Sequence, residues 1–408
     1  MPSPVPFLDL YAANRPVEAA FFREFKKLYR RSAFIGGRAV EEFENGFAKA
    51  LGAPHCVAVS SGTAALHLSL LAAGVGPGDE VIVPAFTFPG AAGPVLHLGA
   101  RPVFADVNHT DGCLDPDSVA RAVTHHTRAI LVTHLFGHPA DLQRIRKALK
   151  TGAKKNGIPS RPIALIEDAA QAHGGQSGVG KNGAALGTIG DFGCFSFYPT
   201  KNLGGIGDAG AILVKSAVVA ARLRRLRDHG QPRRFHPEEA GFNARMDALQ
   251  ALFLSLKLPR LQRYNARRAA IAAGFLKTLA ARPDARLQAL IPAAGSSSAW
   301  HAFVVRVSAP SGRASDEKAR AAFLRHLDAA GIGHQIYYPR ALPLLKAFAP
   351  FAKTAAKAGA GSTTKNPQRF PHAEALARTV VAIPLHPGLS VAEQTRIVAA
   401  LASFRPHF

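Results

Sequence analysis

The order of the chain predicts an α/β fold: a large domain over residues 1–260 built on a mostly parallel sheet, then a smaller α/β domain over residues 261–408. Three observations carry that expectation. Short apolar runs suited to buried strands, at 55–60, 80–84, 101–105, 129–133 and 163–166, alternate with helical stretches, as in a sheet with crossover helices. The first run leads through Ser61-Gly62-Thr63 directly into a helical pattern. Phe86-Thr87-Phe88, Asp106 and Glu167-Asp168 follow strand ends, where open α/β sheets gather their ligands.

Taken in order, residues 17–31 and 39–51 carry helical patterns separated by the turn Phe34-Ile35-Gly36-Gly37, forming a lead-in. The strand at 55–60 and the helix opened by Ser61-Gly62-Thr63 present unpaired N–H groups and the positive end of a helix dipole. This is either a phosphate cradle or an ordinary cap by Ser61 or Thr63. The next strand delivers Phe86 and Phe88, one of which could cover a flat ring or both of which could be core. The run at 163–166 ends in Glu167-Asp168, and a carboxylate there needs a cationic partner if buried. A further strand is expected across Phe192, Cys194, Phe195 and Phe197, and one long helical pattern covers 246–268. The smaller domain mixes a strand at 301–307 with a helix at 316–330. Within it, 353–366 (KTAAKAGAGSTTKN) lacks apolar periodicity and reads as a surface insert.

Composition narrows the class. With 48% hydrophobic residues among 408, the chain is globular, and no run approaches the roughly 20 apolar residues of a membrane helix. No secretory leader is evident either, so a soluble, cytoplasmic protein is expected. The three cysteines, Cys56, Cys113 and Cys194, lack ligand spacing, which implies buried thiols and neither disulfide nor metal. A net charge of +23 points to an anionic partner, and basic clusters recur at 23–31, 144–150, 222–227 and 260–268. No nucleic-acid-binding signature accompanies them, so nucleic acid is not the expected partner, whereas a phosphate-bearing substrate accounts for part of the charge.

The chemistry centres on Lys201, between the aromatic run and the glycines Gly204, Gly205, Gly207 and Gly210. At the edge of an apolar pocket its amine is driven toward the neutral form that attacks carbonyls. A phosphate cradle, an aromatic, a carboxylate at a strand end and a pocket lysine are individually weak signals. Together they meet the needs of pyridoxal 5'-phosphate: Asp168 would hold the ring nitrogen protonated and Lys201 would carry the aldehyde.

The segments SSGTAALHLSLLAAGVGPGDEVIVPAFTF (60–88), EDAAQAHGG (167–175), FGCFSFYPTKNLGGIGDAGAI (192–212) and GFNARMDALQALFL (241–254) resemble the DegT/DnrJ/StrS family of sugar aminotransferases. The resemblance runs from about residue 7 to the C-terminus. It implies the aspartate-aminotransferase-like fold (PLP fold type I) and a homodimer with active sites at the subunit interface. It also implies roles: Lys201 as Schiff-base lysine, Asp168 as partner of the pyridine nitrogen, Gln171 on the cofactor's phenolic oxygen and Phe88 stacked on the ring. Gly62, Thr63 and Ser196 would hold the phosphate, and Asn243 would reach it from the other subunit. The reaction implied moves an amino group from a donor, commonly glutamate, to a nucleotide-linked keto-sugar, with a keto-cyclitol as a near variant. Lys201 would shuttle the proton.

Within the same resemblance, a branch with histidine in place of the lysine performs dehydration, and Lys201 argues against it. The competing readings are a dehydratase or isomerase of the same fold and a non-catalytic polyanion-binding or regulatory protein. Tyr198 and His173 are read as packing residues. Two features depart from the family pattern: the glycine-rich loop GQSGVGKNGAALGTIG after Gly174, read as solvent-exposed, and the stretch after Tyr337-Tyr338-Pro339, which lacks the usual leucine-histidine pair for sugar recognition.

Overall fold

A computed structural model of the chain describes residues 3–158, 162–178, 183–282, 284, 286–309, 313–352 and 370–405. The insert expected at 353–366 lies outside them. Seven strands form the main sheet: β1 (His55–Val59), β2 (Glu80–Pro84), β3 (Arg101–Ala105), β4 (Thr127–Thr133), β5 (Ala164–Asp168), β6 (Phe192–Ser196) and β7 (Gly210–Val214). Their order is β1-β7-β6-β5-β4-β2-β3, and β7 alone runs against its neighbours. The expected mostly parallel sheet is therefore present. Its central strands β2 and β4 are buried along nearly their whole length, as expected of a sheet covered on both faces.

Helices α1 (Leu10–Asn14), α2 (Glu18–Arg30) and α3 (Arg38–Leu51) precede these strands, α4 (Gly62–Ala72), α5 (Gly93–His97), α6 (Pro116–Ala122) and α7 (Leu142–Lys155) lie between them, and α8 (Ala217–Leu226) follows β7. Strand alternation sorts side chains to two cores. Val57 and Val59, Cys194, and Ile212 and Val214 face one; Cys56 and Ala58, Phe195, and Ala211 and Leu213 face the other. In the second core the aromatic run meets α3. Phe47 packs edge-on against Phe195 and Phe197 at 5.1 and 5.2 Å, and Phe43 against Phe197 at 5.2 Å.

The long helical pattern expected at 246–268 is two helices. α9 (Ala248–Lys257) gives way to a 3-10 turn at Leu258–Arg260, where Pro259 offers no N–H to continue it, and α10 (Leu261–Ala280) then runs for 20 residues. α10 begins in the core of the large sheet at Leu261 and ends in a separate cluster at Ile271, Ala272 and Phe275. That cluster also holds the outer face of a three-stranded antiparallel sheet, ordered β10-β9-β8, from β8 (Leu287–Ala289), β9 (Phe303–Val307) and β10 (Val380–Ile383). Helices α11 (Arg313–Ala329), α12 (Pro371–Thr379) and α13 (Val391–Ser403) complete this part. Among the described residues, no helix is long and apolar enough to cross a membrane.

Candidate active site

The last two residues of β5 have contrasting surroundings. Glu167 is fully buried and accepts four hydrogen bonds: from His134 Nε2 at 2.9 Å and from the backbone N–H groups of Gly187, Ile189 and Gly190 at 2.8, 2.7 and 2.6 Å. His134 Nδ1 accepts the N–H of Ala140, so its proton sits on Nε2 and is donated to Glu167. Burial alone would raise the Glu167 carboxyl, but the His134 bond and the backbone N–H groups outweigh it and hold the group below its ordinary value. The end of the glycine-rich loop, expected in solvent, is thus folded inward: Leu186 is fully buried and 187–190 wrap Glu167. Replacing Glu167 with glutamine turns an amide nitrogen toward these donors. It is expected to cost about 3 kcal/mol, read as a lower denaturant midpoint at unchanged slope.

Asp168 faces the other way. Its Oδ1 accepts the N–H of Ala170 at 3.2 Å, and Oδ2 receives a long 3.4 Å bond from Thr133, itself the acceptor of a 3.3 Å bond from Thr87. Burial raises the carboxyl, opposed by the Ala170 N–H and by the charge of Lys201. Of the two carboxylates left open by the sequence, Glu167 is already satisfied and Asp168 retains unused acceptor capacity.

Lys201 lies in a turn closed at both ends. Its own N–H donates to Tyr198 O at 2.8 Å, and the N–H of Gly205 donates to Phe197 O at 2.7 Å. The side chain is half-buried, and burial lowers its pKa to about 8, opposed by Asp168. A buried polar network supports the turn: Asn202 donates to Asn265 Oδ1 and to Ala299 O and pairs with His301 Nδ1. His173 is buried between the rings of Phe195 and Phe197, and burial lowers its pKa to about 3. Tyr198, by contrast, does not pack; it is 51% exposed beside the turn.

At the start of α4, Ser61 is the cap, its Oγ accepting the N–H of Ala64 at 3.0 Å. The N–H groups of Gly62 and Thr63 therefore have no partner among the described residues, and the Thr63 hydroxyl is not spent on capping. A Cβ on Gly62 would stand 2.6 Å from Ser196 Cβ, so only glycine brings this turn against the end of β6. Ser196 Oγ accepts the N–H of Tyr198 at 3.3 Å. Phe86 is core and Phe88 is 57% exposed, its ring 6.2 Å from that of Tyr338, which settles which aromatic is free to cover a ligand.

Gln171 is already bonded at both ends: Oε1 accepts the N–H of Phe136 at 2.6 Å and Nε2 donates to the Tyr338 hydroxyl at 3.1 Å. Asn243 is exposed, and the next residue's carbonyl, Ala244 O, accepts the N–H of Ser60 at 2.8 Å, just before the Gly62 turn. Thr133 was not singled out from sequence because it belongs to no motif, and Tyr338 was named only within Tyr337-Tyr338-Pro339 with no role of its own; each meets the site through tertiary packing. A cavity of about 500 Å³ between α7 and the start of β5, lined by Arg146, Lys150 and Lys154, includes none of these residues.

The model of the DegT/DnrJ/EryC1/StrS aminotransferase family matches residues 17–402. The chain belongs to that family. This aminotransferase is 38% identical over 402 residues to the erythromycin biosynthesis sensory transduction protein EryC1 of Saccharopolyspora erythraea, covering 97% of the chain and 98% of the relative. It is 36% identical to the dTDP-3-amino-3,4,6-trideoxy-alpha-D-glucose transaminase of Streptomyces venezuelae, covering 97% and 95%. Its fold is similar to the crystal structure of S. venezuelae DesV in complex with a ketimine intermediate, with a TM-score of 0.84 and 35% identity over 98% of each chain.

The family depends on pyridoxal phosphate, and the residues present fit that group. Free N–H groups at a helix start suit its phosphate, and a buried carboxylate with spare acceptor capacity suits its ring nitrogen. A lysine with a lowered pKa suits its aldehyde.

Proposed function

We propose that this aminotransferase moves an amino group from an amino acid, glutamate first among the donors, to a keto-sugar carried on a nucleotide. The observation that carries the reading is Lys201: its amine is half-buried, depressed to about 8 and electrostatically coupled to Asp168, with an unpartnered helix start nearby across Ser196. The names of relatives support the substrate class, since one is a transaminase of a dTDP-linked amino sugar.

Pyridoxal phosphate, when bound, supplies the electron-withdrawing ring that stabilises charge at the substrate carbon. Gly62, Thr63 and Ser196 would bind its phosphate, Phe88 would cover its ring, and Gln171 would turn its amide toward the phenolic oxygen. Asp168 would hold a proton at the ring nitrogen, because a buried carboxylate favours a cation beside it. The Lys201 amine would take a proton at one carbon of the substrate and return it at another. Asn243 would complete the phosphate site from a second copy. An exposed apolar face of Phe22, Tyr29, Phe34 and Ile35 supports the homodimer this requires.

The lowered pKa sets a pH dependence. Only the neutral amine attacks, and a pKa of about 8 raises the neutral fraction at pH 7 by more than roughly two orders of magnitude over an ordinary lysine. The rate of cofactor uptake by the apo-protein is therefore expected to climb as pH rises toward 8 and to level off above it, followed by absorbance in a stopped-flow mixer. A rate still climbing at pH 10 contradicts the assignment. The function itself is tested by converting the yellow holoenzyme with glutamate and offering the amine form a panel of nucleotide keto-sugars. Return of the yellow band identifies the acceptor, and failure with the whole panel rejects the nucleotide-sugar reading.

A further inference from the structure

The glycine run that follows Lys201 is fastened to α9 at two points. Gln250 and Lys257, seven residues apart and hence on one face of that helix, both reach it. Gln250 Oε1 accepts the N–H of Ile206 at 2.9 Å, and Lys257 Nζ donates to Gly204 O at 2.6 Å. Lys257 makes a second bond, 2.8 Å to Asn14 Oδ1 at the end of α1. The N-terminal segment is held there as well by Tyr264 of α10, which donates to Ala13 O, and by Arg260 of the preceding 3-10 turn, which donates to Pro16 O.

Lys257 is an unusual choice for this position. It is 4% exposed, and among the described residues no carboxylate lies within ion-pair distance of it; the ring of Phe253, 5.2 Å away, is its only electrostatic compensation apart from the two oxygens. A buried ammonium without a counter-ion is costly, and a plain fastening needs only a neutral donor. The cost is borne next to Lys201. Gly204 is packed so tightly that a Cβ there would stand 2.1 Å from Pro199 O, so residues 199–204 form a rigid turn with Lys201 inside it. A displacement of Gly204 is passed to Lys201 with little loss.

We propose that Lys257 is a positioning residue for Lys201, tying the lysine turn to α1 through Asn14, so that the N-terminal segment sets how Lys201 faces Asp168. The inference rests on the cofactor reading above. It is tested on the holoenzyme with Lys257→Met, which loses both bonds, Lys257→Gln, which keeps a donor for Gly204, and Asn14→Ala, which cuts only the link to α1. Two quantities are read: the dissociation constant of pyridoxal phosphate and the pH midpoint of the lysine–cofactor absorbance band.

The expected result is a loss of affinity of at least about tenfold for Lys257→Met with a moved midpoint. Lys257→Gln should recover most of the affinity, and Asn14→Ala should move the midpoint in the same direction by less. A Lys257→Met protein with wild-type affinity and midpoint overturns the proposal, as does one whose melting temperature falls while the midpoint of its folded fraction stays put. Should Lys257→Met fail to fold, Asn14→Ala decides by the same two readings. A colourless wild type would sink the cofactor reading instead, so the two failures are distinguishable.

Discussion

Lys201→Ala is expected to lower turnover by at least ~10³-fold and to leave no cofactor covalently attached after borohydride reduction. Among the described residues, two lysines have pKa values lowered to about 8, and the experiment separates them. The Lys257 amine is spent on Gly204 O and Asn14 Oδ1 and is almost sealed from solvent. Among the described residues, the Lys201 amine has no hydrogen-bond partner, and its strongest opposing charge is Asp168. Desolvation is the main cause at both, opposed at Lys201 by Asp168 and reinforced at Lys257 by Arg268, so a low pKa alone does not mark the nucleophile; accessibility and the facing carboxylate do. A reduced adduct on Lys257 in the Lys201→Ala protein would overturn this assignment, as would wild-type turnover. Added small amines are expected to recover part of the activity, because a free base in the emptied space can move the proton that Lys201 moves.

How much of this was legible in the sequence follows from the kind of force at each residue. The strands at Glu80–Pro84 and Arg101–Ala105 were read to the residue, because a run buried on both faces has an unambiguous composition. Lys201, Asp168 and Gly62 were legible because each sits at a transition between apolar strand and glycine or helix start. The break at Leu258–Arg260 was missed because apolar periodicity continues through Pro259, and the periodicity outweighed the lost N–H. The loop around 187–190 looked like solvent-exposed linker because glycines also serve where backbone N–H groups must crowd a buried carboxylate, here Glu167. Thr133 and Lys257 reach the site across long sequence separations, and nothing in their immediate neighbours marks them.

Asp168→Asn is expected to lower turnover about 10²- to 10³-fold while leaving the apo-protein at least as stable as wild type near neutral pH. The amide is isosteric: its oxygen can still accept the N–H of Ala170, while its NH2 turns to Thr133, whose hydroxyl changes from donor to acceptor, but a neutral amide cannot hold a proton on the ring nitrogen. The stability half follows from linkage. Burial raises the Asp168 carboxyl, so between its ordinary and its raised value the folded chain keeps a proton that the unfolded chain has released, and stability falls as pH rises through that window. Above it the ionised carboxylate is a standing cost that asparagine removes. Glu167 has the opposite sign: its folded value is lowered, so its contribution is present at neutral pH and is lost as pH falls through that value. Neighbouring carboxyl-to-amide changes should therefore divide function from stability. Asp168→Asn should give a stable, nearly inactive protein, and Glu167→Gln a destabilised one that retains turnover in its folded fraction. Paired melting curves and initial rates check both. If Asp168→Asn melts well below wild type, its carboxylate is a structural ion partner and not a group held in reserve for the cofactor.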